Sequence, residues 1–191
     1  MEASFPIPAR CPLYYDSRAE VEQPRSVTGN EDQGMRFALI DQILEMEAGK
    51  SITAVKNLTL AEEYLADHFP GFPVMPGVLM LETLVQAGAW LIRYTENFEH
   101  STVMLKQAGA LKFNNFVSPG QTLTVTLTTH KWEEDEITFK AAGKIGDLSA
   151  VSARIILQRF NLKDKNPSMA SADAHQIEKM KEMFQHIYKQ G

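Results

Sequence analysis

A histidine stands in the segment HFPGFPVMPG, residues 68–77, among three prolines and two glycines. Each proline ring fixes its own φ, so Pro70, Pro73 and Pro76 stiffen the backbone on the C-terminal side of His68. An imidazole takes up and releases a proton near neutral pH. Fourteen positions later comes Glu82, set among Val78, Leu79, Leu81, Leu84 and Val85. A carboxylate is costly to bury as a charge. Burial favours its neutral form, which suits an acid that hands a proton to a leaving hydroxyl. A lone loop histidine is more often structural, and a lone glutamate more often faces solvent or a cation. A base on a stiffened loop followed by an acid in an apolar segment is the combination that general acid–base chemistry needs.

Three further positions fit around this pair. Gln86 lies four residues after Glu82, so the two share one face of a helix and Gln86 can support the acid through a hydrogen bond. Gly77, with Val78 beside it, falls where the apolar segment begins. Backbone N–H groups at a helix N-terminus can stabilise a developing oxyanion. A residue without Cβ also lets a substrate approach closely. Pro76 supports that turn; Gly77 serving the turn alone is the simpler alternative, and the two roles are compatible. The remaining histidines, His100, His130, His175 and His186, are scattered and show no metal-ligand spacing such as H-E-x-x-H. Neither a G-x-S-x-G nucleophile motif nor a phosphate-binding glycine loop is present.

The wording of this stretch resembles the β-hydroxyacyl-[acyl carrier protein] dehydratases, enzymes of the hot-dog fold. The resemblance rests on His68-Phe69-Pro70, on Pro73-Val74-Met75-Pro76-Gly77, and on Glu82 and Gln86 at fixed spacing. Weaker similarity flanks it in RFALIDQILEME (36–47) and LKFNNFVSPG (111–120). It implies that His68 and Glu82 are catalytic, that Gly77 and Val78 bind the substrate carbonyl, and that Gln86 and Pro76 support them. The implied reaction is reversible loss of water from a 3-hydroxyacyl thioester, on acyl carrier protein or CoA, to give a trans-2-enoyl thioester. The resemblance further implies no metal or other cofactor, since the thioester already acidifies the Cα proton. It also implies a homodimer or an assembly of dimers, with base and acid drawn from different subunits. One departure stands out. Many such dehydratases carry two arginines after the Lys-Phe of the middle strand, thought to grip the acidic carrier; here the positions are Asn114 and Asn115. Two other readings compete: a hot-dog acyl thioesterase, and a non-catalytic acyl-binding or assembly subunit.

Composition narrows the classes. A chain of 191 residues with 44% apolar and 23% charged side chains can bury one sizeable core. A net charge of −5 lacks the basic footprint of a nucleic-acid binder. The longest apolar run, residues 78–92, is interrupted by Glu82 and Gln86 and is too short to span a membrane. No secretory signal is visible in residues 1–10. The single cysteine, Cys11, excludes an intrachain disulfide. A cytoplasmic location is the expectation.

These residues need elements to position them. Residues 37–47 and 51–58 read as strands joined by a turn at Gly49, and 61–66 as a short helix. Residues 78–94, apolar almost all round, predict a buried helix beginning near Pro76-Gly77. Four strands follow at 103–116, 122–132, 136–144 and 148–160. Among them TLTVTLTT alternates as a half-buried strand should. A helix apolar on nearly every side must be wrapped, and a curved antiparallel sheet can do that. The fold class is therefore α+β: a curved antiparallel sheet around a long central helix. Residues 1–34 read as an irregular N-terminal arm and 35–160 as the hot-dog domain. Residues 161–191 comprise a polar linker and an amphipathic C-terminal helix over 173–189, with Ser171 as its cap. That helix should dock rather than trail in solvent. Trp90 reads as core rather than substrate wall.

Overall fold

The computed structural model describes residues 37–69 and 71–189. The expected N-terminal arm and Cys11 lie outside the described residues.

Six antiparallel strands form one sheet in the order β1-β2-β4-β5-β6-β3. They are β1 (Gln42–Glu47), β2 (Ser51–Asn57), β3 (Thr102–Phe113), β4 (Thr122–Trp132), β5 (Glu136–Ile145) and β6 (Leu148–Phe160). The alternation legible in β4 is kept: Leu123, Val125 and Leu127 are fully buried and the threonines between them face outward. Ile137, Phe139 and Ala141 of β5 and Val151, Ala153, Ile155 and Leu157 of β6 continue the same inner face. Period-two alternation places every inward side chain of neighbouring strands in register on one side.

Helix α2 (Gly77–Thr95) lies on this face, in contact with β2, β4, β5, β6 and β3. Its buried residues include Met80, Leu84, Ala87, Gly88, Leu91 and Ile92. At Gly88 the helix comes close to the sheet: a Cβ there would sit 2.8 Å from Leu157 Cδ1 and 3.1 Å from Leu127 Cδ2. The one-turn helix α1 (Tyr64–Asp67) precedes the proline loop, and His68 terminates it. The architecture is the hot-dog arrangement, a curved sheet folded round a central helix.

Beyond β6 the chain differs from the expected plain linker. Two short 3₁₀ turns, Leu162–Asp164 and Pro167–Met169, lead into α3 (Ala170–Ile187). Asn166 accepts a bond from the Ser168 amide, and Pro167 opens the second turn, so helix formation begins earlier than the apolar period suggests. Ser171 therefore lies inside α3 and is not its cap; Met169 holds the cap position without a side-chain bond. Asp173 does the anchoring. Its buried carboxylate accepts from the amides of Leu162 (3.0 Å) and Lys163 (2.8 Å) and from the Ser101 hydroxyl (2.5 Å).

The apolar stripe of α3 docks on the C-terminal half of α2. Phe184 lies 5.9 Å from the Trp90 ring, 5.6 Å from Tyr94, 5.5 Å from Phe98 and 5.3 Å from Tyr188, measured between centroids. Trp90, 5% exposed, belongs to this core and is no substrate wall.

Candidate active site

His68 lies at the mouth of an open cavity of about 250 Å³. Val74, Met75 and Met80 form its depth, Phe69, Phe113 and Phe116 its aromatic walls, and Gly77, Asn114 and Asn115 complete the lining. The loop that carries His68 is shaped by backbone constraints. Phe69 adopts φ +52° and Gly71 φ +94°, and the Phe72 amide donates back to the Phe69 carbonyl at 2.9 Å. The Met75 amide donates to Val117 at 2.8 Å, which pins the end of the loop to the chain leaving β3. The imidazole rests against the Phe69 ring at 4.3 Å.

Pro76 is the N-cap of α2, and its carbonyl accepts from the amides of Leu79 and Met80. The first amides of a helix have no intrahelical acceptor. No side chain caps this end, so Gly77 and Val78 present N–H groups at a positive dipole end beside the cavity. Packing adds a further reason for glycine at 77. A Cβ there would meet the Phe113 ring at 3.2 Å, so the missing side chain makes room for that ring. Val78 is 69% exposed and is not among the cavity-lining residues.

Glu82 is half-buried in the single chain, not enclosed as expected. Gln86 donates to it from Nε2 at 3.0 Å. The same amide group donates to the Phe37 carbonyl at 2.9 Å, and its Oε1 accepts the Leu39 amide at 2.8 Å. With both ends committed, Gln86 holds the Glu82 carboxylate in one orientation. This acid is not among the residues that line the cavity with His68. At 3.6 residues per turn, Glu82 stands about 140° round the helix from Gly77, which lines the cavity.

Asn114 and Asn115, at the positions where many similar dehydratases carry arginines, are exposed and tied to the start of β6. Asn114 Nδ2 donates to Ser149 Oγ at 2.9 Å and Asn115 Nδ2 to the Ser149 carbonyl at 2.7 Å. They close the rim as uncharged groups. The walls Phe69, Phe113 and Phe116 were not singled out from the sequence; the exposure of these three apolar rings, between 48% and 62%, is their structural mark. Among the described residues no group of three or more His, Cys, Asp or Glu side chains could hold a metal ion. No helix among them is long and apolar enough to cross a membrane.

Residues 32–154 match the FabA-like domain family. Relatives include a 3-hydroxyacyl-[acyl-carrier-protein] dehydratase FabZ of Lactobacillus helveticus, 39% identical over 61% of this chain and 78% of that protein. Another, of the same name from Pediococcus pentosaceus, is 38% identical over 66% of this chain and 86% of the relative. Among solved structures, the dehydratase heterocomplex ApeI:P from Xenorhabdus doucetiae superposes with a TM-score of 0.58 at 16% identity, covering 70% of this chain and 90% of the other. A variant of the fluoroacetyl-CoA-specific thioesterase FlK superposes with 0.52 at 14% identity, covering 68% and 98%. At such low identity these two speak for the fold alone. The family match spans most of the chain and includes the histidine loop, α2 and the cavity, so the chain belongs to the FabA-like domain family, with a hot-dog fold.

Proposed function

We propose that this protein is a hydro-lyase that reversibly removes water from 3-hydroxyacyl thioesters to give trans-2-enoyl thioesters, in fatty acid or related acyl-chain biosynthesis. The observation that carries the reading is a base, His68, lining an apolar cavity together with Gly77, the first residue of a helix whose N-terminus no side chain caps. The relatives' names support the same reaction and the acyl carrier protein as the group that delivers the chain.

The proposed steps assign one role to each group. The thioester carbonyl oxygen accepts from the Gly77 amide, where the helix dipole favours negative charge. His68 removes the proton from the carbon next to that carbonyl. Electrons return from the enolate to form the double bond as the hydroxyl leaves. Glu82 of the partner subunit protonates that hydroxyl, which departs as water. The acyl chain occupies the space between Phe113, Phe116 and Met80. We assign Glu82 to the neighbouring site because it lies about 140° round α2 from Gly77 and does not line the cavity that holds His68. The long strand β3 has a neighbour on one side only, and its free edge gives a second copy a place to pair. A cytoplasmic location goes with this reading.

The test is a steady-state assay with enoyl and 3-hydroxyacyl thioesters of both acyl carrier protein and CoA. Loss of enoyl absorbance without thiol release supports the hydro-lyase. Release of free thiol would point to the thioesterase instead. Neither signal, with ligand binding retained, would leave an acyl-binding subunit.

A further inference from the structure

Lys56 occupies an inward position of β2. It pairs in register with Leu123 and alternates with Ile52 and Ala54, all buried. Its side chain is 7% exposed. The ammonium lies 2.8 Å from Glu62 Oε1 and 3.3 Å from Asp41 Oδ1. Burial disfavours this charge, and the two carboxylates more than offset it, so its pKa rises and the lysine stays protonated. Asp41 is itself fixed, because its other oxygen accepts the Asn57 amide at 2.6 Å.

Glu62 is the entry to α1. Its carbonyl accepts the Leu65 amide at 3.1 Å, and the single turn ends in His68. A four-residue helix cannot sustain itself, since its nucleation cost exceeds what one turn returns. Outside ties must hold it. Leu65 is buried, the Tyr64 ring meets Phe37 edge-on at 6.1 Å, and Lys56 grips Glu62. Well-packed apolar residues would usually stabilise such a spot as much as a buried ion pair does. What the pair adds is direction: it sets where the helix entry lies along the sheet.

We propose that Lys56 is a positioning residue for the base, fixing α1 and through it His68. The proposal rests on the reading of His68 as the general base. It is tested with Lys56→Met, with Lys56→Arg, and with a charge-neutral triple variant, Lys56→Met, Asp41→Asn and Glu62→Gln. Melting temperature, kcat, KM and amide hydrogen exchange at Leu65 and Ala66 are measured for each. Lys56→Met leaves two carboxylates facing one another and should lose both stability and turnover. The triple variant removes that repulsion and should regain the melting temperature. Its kcat should stay down by about tenfold or more, since small misplacements of a reacting group cost that much, while KM changes less than about twofold. Its α1 amides should exchange at least about tenfold faster while those of β4 and β5 do not change. Lys56→Arg should restore most of kcat. Recovery of kcat together with melting temperature in the triple variant would overturn the proposal, as would unchanged exchange in α1. His68→Ala in the same assay keeps the underlying reading separate: if it retained full turnover the base would be lost, while the exchange data would still decide whether Lys56 holds α1.

Discussion

If base and acid of one site come from different chains, two inactive variants must rescue one another by a calculable amount. Take His68→Ala and Glu82→Ala, each inactive as a homodimer. In a mixed dimer one site combines both substitutions and the other combines an intact His68 with an intact Glu82. Random association of equal amounts makes about half the dimers mixed, and each mixed dimer has one working site of two, so recovery is about one quarter of wild-type turnover for a two-fold dimer. Each parent should retain no more than about 1% if general acid–base steps contribute about 10²–10⁴-fold. The expected signal therefore stands about 25-fold above background. The structural basis is the position of Glu82 about 140° round α2 from Gly77, outside the lining of the cavity that holds His68. The assay is enoyl thioester hydration after the two tagged proteins are co-refolded, with mixed dimers purified through both tags. Purified mixed dimers should then show about half of wild-type turnover per dimer. Mixed dimers no more active than their parents would place each site within one chain and refute the reasoning.

Other outcomes follow from particular contacts. His68→Ala and Glu82→Ala should each reduce turnover by at least about a hundredfold with the fold intact by circular dichroism; near wild-type turnover in either would remove that residue from the mechanism. Phe184→Ala removes a half-buried ring that meets four others, which should cost about 2 kcal/mol, roughly half the full-burial value. Thermal melts should then show a fall of about 4–8 °C, with kcat unaffected because the ring lies at the far end of α2 from His68. Truncation after Phe160 should lower the melting temperature further; no change in either variant would mean that α3 is not docked in solution. Asp173 gives a pH signature. Burial alone would raise its pKa, but bonds from Ser101, Lys163 and Leu162 together with the Lys163 charge hold it below the usual carboxylate value of 3.8. Its stabilising contribution is complete above that value and is lost as pH falls through the lower native pKa. Asp173→Asn should flatten the acid limb of a stability–pH curve below about pH 4, whereas an unaltered limb would show that this carboxylate does not set it.

Much of the scaffold could be read from periodicity. The apolar run from Val78 to Tyr94 is α2 with one residue added at each end, and the β4 and β6 bounds match their alternation. These elements follow local rules, in which burial on one face or all faces is written directly in the residue pattern. The strand order was not legible, because β3 pairs with β6 across a long stretch of sequence. The end of β3 was also overrun: after Phe113 the amides of Asn114 and Asn115 both turn to the Ala150 carbonyl, which only β6 can supply. At the candidate site the motif brought out His68, Gly77, Glu82 and Gln86, yet not the cavity walls Phe69, Phe113 and Phe116, which come together only when the histidine loop folds against the end of β3. Lys56 was missed because one polar residue in SITAVKN looks like an ordinary strand end until its partners Asp41 and Glu62 fold against it. Asp173 was missed likewise, since its three donors lie on other segments.

The close seat of Gly88 on the sheet reaches further than its own neighbourhood. Helix α2 behaves as one stiff rod, and Gly88 is where it bears on Leu157, Leu127 and Phe139. Gly77 rides on the same rod about 16 Å away and Glu82 about 9 Å away, on different faces. A methyl group at position 88 acts as a wedge under a lever. Either Leu157 is forced into another rotamer, or the rod lifts and carries Gly77 and Glu82 with it. Because those two residues lie on different faces of the helix, one lift would shift both proposed reaction groups at once. The absence of a side chain at position 88 thus sets the depth at which both are held.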